Sequence, residues 1–301
     1  MNDAVITIKR EVIMKKLMLS MMLLALLLST NNYANEGKEM QLPKLSVQLW
    51  SVRDDLKRDF KGTLKQLADM GFKGVEFAGY FGPYKNNGKG LKKFLSELGL
   101  KASGAHVNFK QFNDKNYAKS MAFYQDLDAK LLIVGSDKRA FHPQGIKAVV
   151  NELNQLSAKL APLGFKFGFH NHDDEFNDFK GSTYWDYLAK NTIQDVVLQQ
   201  DVGWTTYAGK NPIEYVERYP GRTLTTHYKA SLPKGTQGKL PIIGEDTIDW
   251  LNLIKSNMSV GGTLWLVVEQ EEYPNGLTPL QAVRKSKQGL DKILKQVQPR
   301  T

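Results

Sequence analysis

The stretch Gly168–Phe176, GFHNHDDEF, gathers two histidines, an asparagine and three acids in a chain whose histidines number 5 in 301 residues. It continues an apolar run in which Phe165, Phe167 and Phe169 alternate with Lys166, Gly168 and His170. Side chains alternate along a β-strand, so residues i and i+2 share a face. The phenylalanines suit a helix layer, which leaves His170 and His172 pointing the other way at the C-terminal end of the segment. An imidazole has an unperturbed pKa of about 6.5, so it can take a proton or ligate a metal at neutral pH. The same alternation aligns Val197, Gln199 and Asp201; Thr223, Thr225, His227 and Lys229; and Trp265, Val267 and Glu269. Earlier segments align Ser46 with Gln48, Gly74 with Glu76, and Ala102 with Gly104 and His106. A buried unpaired polar group costs about 1–3 kcal/mol, and a charge far more. Polar groups converging on one end therefore need partners, and a cation satisfies several together. His170, Asp201, His227 and Glu269 are the candidate ligands, and the mixed imidazole–carboxylate set suits one divalent ion, Mn2+, Zn2+, Co2+ or Fe2+. Singly, each has a plainer reading: an inward histidine is commonly a satisfied core residue, and a terminal acid often caps the next helix. Their coincidence on consecutive strands argues for a shared ion. His142, before Pro143, reads as a loop residue, and Asp173 and Asp174 as solvated; Glu175, close behind the histidines, is the acid to watch.

These groups need a scaffold that brings strand ends together. Eight β-type runs recur, at residues 44–50, 72–77, 100–107, 130–136, 165–172, 195–201, 222–229 and 263–270. Between them lie helix-periodic segments. Gly71, Gly99 and Gly164 stand at helix C-termini, where glycine accepts the left-handed backbone. Asp246 reads as a helix N-cap, as does Thr278, with Pro279 at the first helical position. Strand–helix alternation implies a parallel sheet, and eight units over residues 44–298 match a single-domain (β/α)8 TIM barrel of the α/β class. An open doubly wound sheet would carry a glycine-rich phosphate loop after its first strand; here the sequence is SVRDDL. The Gly/Pro-rich stretch 231–247 follows the seventh strand, where a barrel keeps active-site loops.

The formal net charge is +10, but the lysines are scattered, with no basic stripe interleaved with aromatics, so no nucleic-acid partner is expected. There is no cysteine, hence no disulfide and no lipoprotein attachment. Lys15 and Lys16 precede an apolar stretch, Leu17–Leu28, followed by Ala34, the layout of a secretory signal. Residues 1–34 are read as this leader, with an upstream mis-start before Met14, and residues 35–43 as a linker. About 12 residues of helix reach only about 18 Å, short of a membrane core of about 30 Å. The expected product is exported, periplasmic in a Gram-negative cell, with no stable membrane association after cleavage; an uncleaved anchor is the plainer alternative.

On QLWSVRD at the first strand, HNHDDEF after the fifth, DVGW at the sixth, HYK at the seventh and VVEQE at the eighth, the chain resembles the xylose-isomerase-like TIM barrels, the sugar phosphate isomerase/epimerase superfamily. The resemblance implies a single divalent metal held by residues from the fifth to eighth strands, commonly Glu, Asp, His and Glu. By position these are His170, Asp201, His227 and Glu269, with histidine replacing the first glutamate. It implies proton abstraction beside a carbonyl of a small sugar, with enediolate stabilisation. The outcomes are isomerisation or epimerisation, or a lyase or hydratase reaction on keto-sugars or keto-glycosides. The glutamate pair that relays the proton in such enzymes is incomplete here. His172, Glu175, Glu269 and Lys229 are the catalytic candidates, and Gln48, Glu76 and His106 the sugar-binding ones. A periplasmic carbohydrate-binding barrel without turnover is the alternative, and homo-oligomerisation is left open. A phosphodiesterase of the same superfamily needs further His and Asp ligands; Trp204 stands where that branch has a histidine.

Overall fold

One face of nearly every strand is apolar and must find a helix layer, while the other is polar and must find itself; closing the sheet answers both. The computed structural model describes residues 42–233 and 236–297. Eight parallel strands close into a barrel. They are β1 Lys44–Gln48, β2 Gly74–Phe77, β3 Lys101–Val107, β4 Leu131–Val134, β5 Lys166–His170, β6 Val197–Asp201, β7 Thr225–Lys229 and β8 Trp265–Glu269. β8 pairs back onto β1, with Ser46 opposite Val267, so the barrel itself has no open strand edge. Among the described residues no helix is long and apolar enough to cross a membrane. The expected leader, residues 1–34, and most of the linker lie outside the described residues.

Val47, Val75, Phe77, Val134, Phe167, Phe169, Leu198, Tyr228, Leu266 and Val268 are fully or almost fully buried. They form the outward strand faces, packed under helices such as Phe60–Asp69, Ile146–Leu160 and Pro279–Val297. Local signals set the helix ends. Asp59 and Asn87 accept from the backbone N–H groups of Gly62 and Gly90 at 2.9 and 2.8 Å. Thr278 and Gln281 cap each other's backbone N–H at 3.3 and 2.9 Å, as expected for a reciprocal capping box. Gly71, Gly99 and Gly164 sit at φ +91°, +70° and +78°.

Three expectations change. The helix after the seventh strand is Trp250–Ser256, capped by Asp249. Asp246 is instead a buried carboxylate that takes the Trp250 indole N–H at 2.9 Å and the Ile248 N–H at 2.7 Å. The alternation in β3 is broken by a register shift, Val75 pairing with Ala102 but Glu76 with Gly104. This lets Ser103 reach Ser46 inside the barrel, Oγ to Oγ at 2.6 Å. Finally, β5 ends at His170, so His172 belongs to the loop that follows.

Gly168 is where the barrel wall is tightest. A Cβ there would lie 2.2 Å from the carbonyl oxygen of Val197 on β6, which is backbone and cannot swing aside. Overpacking of this kind costs about 1–3 kcal/mol. Gly168→Ala is expected to lose about that much in urea denaturation; a variant as stable as the parent would show that β5 and β6 separate more easily than their contact implies.

Candidate metal centre and active site

The C-terminal ends of β5 to β8 deliver His170, Asp201, His227 and Glu269 to one point. One ligating atom from each lies within 4.8 Å of all the others, and all four residues are buried. His227 Nδ1 is 3.1 Å from Glu269 Oε2 and 3.8 Å from Asp201 Oδ2. His170 Nε2 is 3.9 Å from the same Asp201 oxygen. His106 brings a further imidazole, stacked on His227 with ring centroids 5.2 Å apart. Its Nε2, however, already faces Gln199 Oε1 at 2.7 Å.

Each group is aimed by a neighbour. Asp201 accepts from the Trp204 backbone N–H through Oδ1 at 2.7 Å, capping the helix Val202–Tyr207. Its other oxygen then points into the cluster. Asn171 accepts from the Asp201 backbone N–H at 2.9 Å. Glu76 lies beneath His227, with Oε1 2.6 Å from Nε2, so that Nδ1 is turned to Glu269 and Asp201. Gln48 and Gln199 donate to Glu76 at 2.7 and 2.8 Å. A carboxylate behind a ligating histidine fixes its tautomer and raises its basicity. Asp201 Oδ2 and His170 Nδ1 are buried with no hydrogen-bond partner. Unpaired buried acceptors among two imidazoles and two carboxylates are what a divalent cation of intermediate hardness satisfies, so the residues fit such a group.

The electrostatics agree with a site built around positive charge. Burial disfavours the His227 imidazolium, yet Glu76 and Glu269 outweigh it and push the pKa up to about 10. Burial opposes ionisation of Glu269, but His227 and Lys229 hold it well below the usual carboxylate range. Asp201 goes the other way, raised mainly by burial and then by the charge of Glu269. His170 is driven well below its ordinary value by burial and by His227 and His106. Its imidazole is therefore neutral, the form that ligates.

His106, His170, His172 and Glu269 line a cavity of about 420 Å³ at the barrel mouth, together with Asn108, Ser136 and Glu271. Gln48 and Glu76, expected on the sugar-binding wall, are 0% exposed; they form the hydrogen-bonded floor under the cluster instead. Glu175, expected to return toward the histidines, is held in its own loop. Its Oε2 accepts the His172 backbone N–H at 2.7 Å, and its Oε1 is buried without a partner. Lys229 is buried, ion-paired with Glu271 and 4.1 Å from the Trp204 ring. Glu271, Asn171 and the bonding role of Gln199 were missed. Glu271 stands two residues past Glu269 in VVEQEE, and that spacing was its available signal.

Two outcomes follow from this geometry. Chelated protein given a divalent transition metal is expected to gain thermal stability, about 2.7 kcal/mol at 100-fold excess over Kd. Asp201→Ala and His227→Ala should lose that gain; an equal rise in both variants would place the ion elsewhere. Burial, helped by Asp174 and Asp173, pushes the Glu175 carboxyl from 4.5 up to about 7. The folded state thus holds this proton more tightly than the unfolded chain does. Its contribution is fully present below about pH 4.5 and is lost as pH rises toward 7, a swing on the order of 3 kcal/mol. Glu175→Gln should flatten that decline in urea titrations between pH 5 and 8; parallel profiles would mean that the carboxyl is already ionised.

The comparisons with known proteins converge on one group. The family model described as "Xylose isomerase-like TIM barrel" matches residues 64–293. An inosose dehydratase of Clostridium botulinum is 24% identical over 266 residues, 76% of this chain and 88% of that protein. A solved sugar phosphate isomerase/epimerase from Parabacteroides distasonis superposes with a TM-score of 0.70 at 24% identity, covering 85% of this chain and 97% of that one. The solved IOLI protein, with a binding zinc atom, superposes at 0.59 with 16% identity, over 85% of this chain and 100% of that one. With a closed eight-stranded barrel, the buried His/Asp/Glu cluster at its C-terminal mouth and a match over most of its length, the chain belongs to the xylose isomerase-like TIM barrel family.

Proposed function

We propose that the protein is a divalent-metal-dependent enzyme that removes the proton beside the carbonyl of a keto-sugar or keto-glycoside and then expels the substituent on the next carbon. The single observation that carries this is the four-residue cluster, with its two unpartnered atoms, at the base of a cavity of about 420 Å³. His170, Asp201, His227 and Glu269 would hold the ion. When bound, such an ion polarises a carbonyl and an adjacent hydroxyl as a Lewis acid. Glu76 keeps His227 oriented and Asn171 keeps Asp201 in register.

His172 is the proposed base. It lines the cavity, and burial lowers its pKa, so the imidazole is free to accept a proton. The C–H electron pair becomes the enediolate, whose collapse breaks the bond to the neighbouring oxygen. That oxygen leaves as water or an alcohol, with the proton handed on from His172. Elimination is favoured over epimerisation because epimerisation needs a second acid on the opposite face of the sugar. The fifth-strand position that the resemblance gives to a glutamate is His170 here. The curated inosose dehydratase relative supports the same choice. A carbohydrate-binding barrel without turnover is the competing reading, and the same His170 replacement favours it.

Residues 1–34 are proposed as a secretory leader and the mature protein as periplasmic. N-terminal sequencing of the mature protein beginning after about residue 34 would support this. For the chemistry, metal-loaded protein incubated with keto-sugars in D2O should show deuterium exchange beside the carbonyl and an absorbing enone product. His172→Ala should lower kcat by about 100-fold or more. Glu269→Ala should abolish turnover. Unaltered exchange in His172→Ala would remove it as the base, and sugar affinity with no turnover in any form would favour the binding barrel.

A further inference from the structure

Two large aromatic side chains stand exposed at the same mouth, Trp50 at 45% and Tyr80 at 43%. Trp50 lies in the 3-10 turn directly after β1. Its position is built rather than accidental. The Gln48 side chain accepts the Trp50 backbone N–H at 3.3 Å, and that same Gln48 donates to Glu76 in the floor of the metal centre. The Arg53 guanidinium lies 4.5 Å from the indole and donates to the Trp50 carbonyl at 3.0 Å. Tyr80 packs edge-on against Phe60, with centroids 6.0 Å apart. Trp50 and Tyr80 together line a side cleft of about 90 Å³ with Leu49, Leu56 and Ala78, and with the cations Arg53 and Lys57; Lys57 is ion-paired with Asp54. This cleft adjoins the main cavity, with Trp50 and Ala78 lining both.

The charge of the main cavity narrows what can occupy it. Among the described residues its lining holds two carboxylates, Glu269 and Glu271, and no lysine or arginine. Lys229, the nearest buried cation of the cluster, is committed to Glu271. Phosphate recognition uses charged donors or oriented backbone N–H groups, and two carboxylates would repel it. An exposed indole and phenol instead offer flat apolar faces with polar edges.

We infer that the Trp50–Tyr80 cleft is a second substrate subsite, which takes the apolar or aromatic aglycone of a glycoside whose sugar ring occupies the metal cavity. This deepens the elimination reading and rests on it: the group expelled would be an alcohol or phenol that lies on Trp50 as its bond to the sugar breaks. The subsite acts on binding and specificity, whereas the proton chemistry belongs to the cluster.

The test compares 4-nitrophenyl and methyl β-D-glucopyranoside, probes that need no turnover to report affinity, by calorimetric titration of the metal-loaded full chain. The 4-nitrophenyl glycoside is expected to bind at least tenfold more tightly than the methyl glycoside. Trp50→Ala and Tyr80→Ala should each remove most of that ratio, and Trp50→Phe should restore it. Both positions are exposed, so the substitutions leave the core intact. A wild type that does not distinguish the two probes, or variants that keep the ratio, would overturn the subsite. Keto-sugar exchange in D2O is measured beside it. Exchange without aryl preference would sink the cleft and leave the proposed reaction standing. Aryl preference without exchange on any keto-sugar would sink the reaction and leave the cleft.

Discussion

His227 sits between two carboxylates, buried away from solvent, and that contact governs the rest of the barrel interior. Glu76 faces one ring nitrogen at 2.6 Å and Glu269 the other at 3.1 Å, with His227 and Glu76 at 0% exposure. An ion pair so placed must recover a desolvation cost of several kcal/mol per charge. It does so only where the remaining lone pairs are also satisfied. Glu76 meets that demand through Gln48 and Gln199, which arrive from β1 and β6. One histidine therefore ties together strands far apart in the chain.

That network explains why the polar interior is layered. Below, Ser46 and Ser103 bond to each other and Trp265 fills the space beside Gly74. In the middle, Gln48, Gln199 and His227 all bond to Glu76, and His106 Nε2 faces Gln199. At the top layer Asp201 Oδ2 and His170 Nδ1 are left without partners. A buried network with all partners present rigidifies a core; one that is short of partners at a single level marks where something else binds. These two atoms lie at the mouth of the barrel, where loops rather than packing set what enters.

The loops give the cavity its character. The loop after β5 contributes His172 and buries Glu175 beneath it, the first turn after β6 contributes Trp204, and the segment after β8 contributes Glu271. Lys229 reaches across to Glu271 and lies over Trp204, which ties the end of β7 to the segments after β6 and β8. The cavity so formed has no free cation among its described lining residues, and an aromatic shelf at its rim.

Much of this was legible in the chain itself. Period-two alternation assigned Gln48, Glu76, His106, His170, Gln199, Asp201, His227 and Glu269 to the inside, because a strand has only two faces and the phenylalanines and valines claim the other. Glycines past the helix ends and eight repeats of one pattern implied closure. What the sequence did not determine was height within the barrel. Gln48 and Glu76 share a face with the cluster, yet lie under it, because strand stagger sets which residues meet at one level, and stagger is a property of the closed sheet. Ser103 turned inward through a bulge that no local pattern signals. His172 left the strand two residues early, and Glu175 was captured by a backbone N–H of its own loop. Alternation is local physics and is written along the chain; the level at which side chains meet, and the partner each carboxylate finds, exist only once distant strands have been brought side by side.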